Sequence, residues 1–119
     1  MNYLLVFIGG GVGSICRYGI AVLIKDYNVT FPFATLLANI ISCVILGILV
    51  GLSLKGGVHD FHKLILITGF CGGFSTFSTF SFETLHLLQT GAFMHAIANI
   101  FVSLVVCLIC IYLGLKLVG

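Results

Sequence analysis

The chain alternates between long apolar runs and short polar breaks. Four runs stand out: Tyr3–Ile24, Phe33–Leu54, Leu64–Leu88 and His95–Val118. Each comes close to the roughly 20 residues a helix needs to cross hydrocarbon. The breaks hold Lys25-Asp26-Tyr27-Asn28 with Pro32, then Lys55-Gly56-Gly57 through Lys63, then Gln89-Thr90-Gly91. Helix is the open choice for spans joined by loops this short, because a barrel would need alternating strands. The pattern predicts an all-α membrane protein. It has four transmembrane helices in one domain, residues 1–119.

Composition sharpens this. The 119 residues are 61% hydrophobic and 7% charged, with a mean hydropathy of +1.30. A soluble domain carries about 25% charged residues, so this chain cannot cover a water-facing surface. No length remains for a soluble catalytic domain, and no enzyme is expected. The first run lacks a positive n-region and a following A-x-A site, so it reads as a retained span rather than a signal peptide. A net charge of +2 is too small to imply a nucleic-acid partner. Cys16, Cys43, Cys71, Cys107 and Cys110 all lie in predicted spans. An odd count in apolar runs argues against a disulfide framework. Cys107 and Cys110, one turn apart, read as small apolar side chains rather than a redox or metal pair.

Charge sets orientation only weakly. Lys55, Lys63 and Lys116 share one side of the predicted topology, with Lys25 and Arg17 on the other. The positive-inside rule needs a clearer excess than three against two. Insertion in both directions, and hence an antiparallel homodimer, stays open beside a single fixed orientation. Span one contains Gly9-Gly10-Gly11-Val12-Gly13, and span two has Gly47 and Gly51, spacings that let helix backbones approach closely in lipid. The glycine cluster is not a phosphate loop, since no strand precedes it and no Gly-Lys-Ser/Thr follows.

The polar residues of the spans fall into layers. Arg17, Asn39, Glu83 and Asn99 all lie toward the same side of the protomer. Arg17 carries a fixed charge with five donors. With Asn39 and Asn99 it could collect anions in a vestibule; alternatively it snorkels to the interface or pairs with Glu83. The second layer is the middle of span three, where Gly69 to Glu83 read G-F-C-G-G-F-S-T-F-S-T-F-S-F-E. Gly72-Gly73 is the expected site of a mid-membrane helix break, which would free backbone carbonyls and N–H groups. Ser75, Thr76, Ser78, Thr79 and Ser81 supply hydroxyl donors. Phe77 and Phe80 share a helix face, with positive ring edges a small anion could rest against. Glu83, the acid of the spans, lies off-centre, which favours a passive pore over a proton-coupled carrier. A dual-topology multidrug exporter would need a deep acid in span one, and there is none.

The sequence resembles the Fluc/CrcB fluoride channels along nearly its whole length. The resemblance rests on G-x-x-x-R-Y from Gly13 to Tyr18, on F-P-F-A-T-L-L-A-N from Phe31 to Asn39, and on the Gly69–Glu83 motif. It implies a dual-topology antiparallel homodimer in the lipid of the cell's inner membrane, passively exporting fluoride through pores between protomers. It further implies that Arg17 and Asn39 line the vestibule, and that Phe77 and Phe80 line the pore. Ser78 and Thr79 fall within the same motif, and Ser103 fits the spacing of a hydroxyl track. A structural, untransported sodium ion would be held at the dimer centre by the backbone carbonyls of Gly72 and Ser75. Three positions depart from the family pattern: Ser75 for the usual Thr, Ala34 for Gly, and Asn99 where many members carry Tyr.

Overall fold

A computed structural model describes residues 1–24 and 31–119; the Lys25-Asp26-Tyr27-Asn28 break lies outside the described residues. Helix α1 covers Asn2–Ile24 and α2 covers Phe33–Leu54. The third span is built in pieces. A single turn, α3 (Asp60–His62), continues as a π-helix over Lys63–Cys71 and a further turn, α4 (Gly72–Phe74). After Ser75 and Thr76 the chain becomes helical again as α5 (Phe77–Gln89), and α6 (Phe93–Val118) closes the bundle. Among the described residues, four helical stretches are thus long and apolar enough to cross a membrane: Asn2–Ile24, Phe33–Leu54, Asp60–Gln89 and Phe93–Val118. The third begins earlier than the apolar run at Leu64, because helix continues through the polar flank of Asp60, His62 and Lys63; the fourth begins two apolar residues before His95, at Phe93. Gly56 and Gly91 adopt φ of +77° and +84° at the ends of α2 and α5, a backbone conformation that suits glycine.

The packing is inverted relative to a soluble bundle. Large apolar side chains point outward: Tyr3 is 93% exposed and Phe7 76%. The interior holds small or polar groups, among them Ala38, Ala96, Cys71, Ser42, Asn99 and Ser103. In lipid, apolar side chains gain nothing by hiding from the solvent, so helices associate where small residues let backbones meet. Helix α1 lies along the π-helix and α4, α2 lies along α6, and α5 rests on α6.

Two glycine contacts fix these pairings. A Cβ on Gly13 would stand 2.8 Å from Phe74 N and collide with Phe70 O, while a Cβ on Gly114 would stand 2.9 Å from Gly47 Cα. Gly13→Ala is expected to force α1 off the third span and lower the melting temperature in detergent sharply. Gly11, whose Cβ would meet nothing within 4 Å, is the matched control. Gly11→Ala should melt like the wild type, and equal melting of both variants would contradict the packing.

Candidate functional site

The interruption of the third span falls at Ser75–Thr76, not at the expected Gly72–Gly73. Gly72 is helical, with φ −64° and ψ −35°. Gly73 instead serves close approach, since its Cβ would stand 2.9 Å from Gly10 Cα. What stops the helix is hydroxyl chemistry. Ser75 and Thr76 are extended, at φ −82°, ψ 156° and φ −153°, ψ 125°. The Ser75 Oγ donates to Cys71 O at 2.7 Å, and Ser42 Oγ from α2 donates to the same carbonyl at 3.2 Å. Thr76 caps α5, its Oγ1 accepting from Thr79 N at 3.2 Å. Ser and Thr are favoured at that position because the side chain satisfies an orphan N–H of the first turn.

Two side chains from other helices secure the break. Asn39 of α2 accepts from Thr76 N at 3.0 Å and donates to Thr76 O at 3.5 Å, closing both backbone groups of one residue. Arg17 Nε of α1 donates to Gly73 O at 3.3 Å, placing a cation at the negative end of the first half-span. Arg17 and Asn39, read from sequence as a layer apart from the span-three centre, thus both reach the break itself. Arg17 does not pair with Glu83: among the described residues the salt bridge is Lys63–Asp60 at 3.9 Å. Among the described residues, Glu83 Oε1 is buried without a hydrogen-bond partner.

Beside the break lies a cavity of about 250 Å³, lined by Asn39, Ser75, Thr76, Phe77, Phe80 and Ser103, with the thiols of Cys43 and Cys107 in its wall. Phe77 and Phe80 pack at 5.7 Å between centroids, tilted by 40°. Phe77 is 79% exposed, so it faces outward from the protomer. Of the expected site residues, the cavity therefore unites Asn39, Phe77, Phe80, Ser75 and Ser103. Ser78 and Thr79 lie outside its lining, their hydroxyls 3.2 and 3.4 Å from Thr76 Oγ1. Arg17 and Gly72 lie at the first half-span's end, outside the cavity lining.

Asn99 faces the protomer interior rather than open space. It is 1% exposed, inside the protomer. Its Nδ2 donates to Thr84 Oγ1 at 2.9 Å, and its Oδ1 accepts from Ser103 Oγ at 3.1 Å. Thr84 in turn donates to Phe80 O at 2.8 Å. Sequence reasoning missed Thr84 and Ser42, because a lone hydroxyl in an apolar run gives no signal of its partner. The cap at Thr76 did have one, the Thr-x-x-Thr spacing of Thr76 and Thr79.

Fold and site together define a multi-pass helical membrane protein whose third span is interrupted beside an aromatic-lined, mostly apolar cavity that carries the polar groups of Asn39, Ser75, Thr76 and Ser103. The chain belongs to the CrcB family. The family profile described as CrcB-like protein, Camphor Resistance (CrcB), matches residues 4–115. Curated relatives named "Fluoride-specific ion channel FluC" are similar over nearly the whole chain. The Pyrococcus furiosus protein is 43% identical over 114 residues, covering 95% of this chain and 92% of the relative. The Pyrococcus abyssi protein is 45% identical over 112 residues, covering 93% and 90%. The Serratia proteamaculans protein is 41% identical over 118 residues, covering 98% and 93%.

Proposed function

We propose that the chain is a fluoride-selective channel, a single transmembrane domain and not an enzyme, which lets cytoplasmic fluoride leak out across the inner membrane. The observation that carries this is the cavity beside the clamped break, which gathers Asn39, Phe80 and Ser103 against the outward-facing Phe77. Full-length similarity to proteins named as fluoride-specific channels supports the choice of ion. Hydroxyl protons and ring edges are the positive ends of neutral groups, so they can replace part of a small anion's water without an expensive buried charge. Arg17 supplies the fixed charge that draws anions toward the break. A membrane potential negative inside then drives the anion outward, by about 2.3 kcal/mol per 100 mV for one charge.

The reading includes an antiparallel, dual-topology homodimer with pores between its protomers. Two features support it. Phe77 projects outward and needs a facing surface to form an enclosed path, and the Lys/Arg bias is weak. In such a dimer the interruption at Ser75–Thr76 lies at mid-membrane, near the two-fold axis. The structural sodium belongs to the same proposal, and the donor set fits it. The Thr76 N–H, which would close the next helical turn on Gly72 O, is taken by Asn39. The Gly72 and Ser75 carbonyls can then serve as hard oxygen ligands, two from each protomer. A bound sodium would supply a fixed positive charge that joins the two breaks.

Vesicles loaded with fluoride and carrying the purified chain should empty when a potassium ionophore relieves the charge, and sealed vesicles would sink the proposal. Exchanging sodium for a large organic cation throughout purification should lower both the melting temperature and the efflux. Unchanged values would remove the sodium from the account.

A further inference from the structure

The relay behind the cavity has a direction, and the direction has a consequence for the rim. Thr84 donates its one proton to the Phe80 carbonyl at 2.8 Å, so its oxygen is left to accept. Asn99 therefore faces Thr84 with its Nδ2, at 2.9 Å. Its Oδ1 is thereby turned to Ser103, whose hydroxyl donates to it at 3.1 Å. The amide orientation is fixed from the Thr84 end. Ser103, which lines the cavity, holds its proton inward and turns lone pairs outward. Lone pairs repel an anion.

We propose that Asn99 is a positioning residue for the anion path, holding the Ser103 proton between anions and thereby weakening the grip of Ser103 on each anion that arrives. The inference rests on the fluoride reading above. A neutral hydrogen bond contributes about 1 kcal/mol net, and one to a charged group roughly twice that. An arriving anion wins the proton from Asn99, and the proton returns as the anion leaves. Every binding event at Ser103 is lightened by the bond it breaks. Conduction needs this, because a site must bind well enough to admit the ion and loosely enough to release it. The back-bond to its own helix, open to any helical serine, is a weak competitor by comparison.

The test is the fluoride dependence of efflux in liposomes for wild type, Asn99→Leu, Ser103→Ala and the double variant. Asn99→Leu removes the competing acceptor without adding charge. It is expected to lower the half-saturating fluoride concentration about five-fold, the equivalent of one neutral hydrogen bond, and to lower the maximal rate. In the Ser103→Ala background the same substitution should change neither quantity. Thr84→Val reaches the relay from its other end, and serves if Leu is too bulky for the buried site. It frees the amide to turn and should shift half-saturation in the same direction as Asn99→Leu. Tighter half-saturation is not a result that structural damage produces. Unchanged or raised half-saturation in both variants, or equal effects with and without Ser103, would overturn the assignment. A wild type that passes no fluoride would overturn the channel reading itself, and the inference with it.

Discussion

Phe80→Ile is expected to lower fluoride efflux from liposomes at least tenfold while the protein remains folded. Isoleucine keeps the position apolar, and the Phe80 carbonyl that accepts from Thr84 belongs to the backbone, so that contact survives. What disappears is the ring. Its edge is the positive part of the aromatic quadrupole, and its packing on Phe77 at 5.7 Å contributes about 0.5–1.5 kcal/mol. Stability should therefore fall by little. The pathway should fall by much more, because each 1.4 kcal/mol of lost stabilisation where the anion meets the ring slows passage tenfold. Electrode-monitored efflux with a parallel melting curve separates the two. Wild-type efflux from Phe80→Ile would show that the ring is only packing.

Asn39→Leu is expected to strike both stability and flux. Leucine fills a similar volume and removes both hydrogen bonds to Thr76, at 3.0 and 3.5 Å. A backbone N–H left unsatisfied away from water costs about 1–3 kcal/mol. The melting temperature in detergent should drop by several degrees, and efflux should be lost. Asn39→Asp divides the effects. The carboxylate still accepts from the Thr76 N–H, so the melting temperature should recover toward wild type. The new negative charge at the cavity wall should keep fluoride out. A stable, fully conducting Asn39→Leu would show that the clamp matters to neither.

Much of the fold is legible in the sequence because hydrocarbon restricts the choice. Apolar runs of span length in lipid can only be helices, and four such runs fall on four membrane-length helices. The location of the break is less legible. Glycine signals conformational freedom, so Gly72-Gly73 drew the expectation. In three dimensions Gly73 meets Gly10, and the break sits where Ser75 and Thr76 can satisfy backbone groups with their own hydroxyls. Permission to bend and cause of bending are different properties, and only the first shows in composition. Phe77 and Phe80 are paired by helical spacing alone, as i and i+3 must be. Asn99 shows the opposite case. Counting depth placed it level with Arg17, but depth does not report which way a side chain faces. Only packing turns it inward to Thr84 and Ser103. The interrupted segment thus consists of a hydroxyl-built break, a clamp from Asn39 and Arg17, and an aromatic face beside them.

The central claim is selective passage of fluoride, and a paired efflux measurement tests it most directly. Liposomes carrying the wild-type chain would be loaded with equal concentrations of fluoride and chloride, and each ion followed by its own electrode after ionophore addition. Rapid loss of fluoride with chloride retained is expected. Equal loss of both ions, or loss of neither, would contradict it.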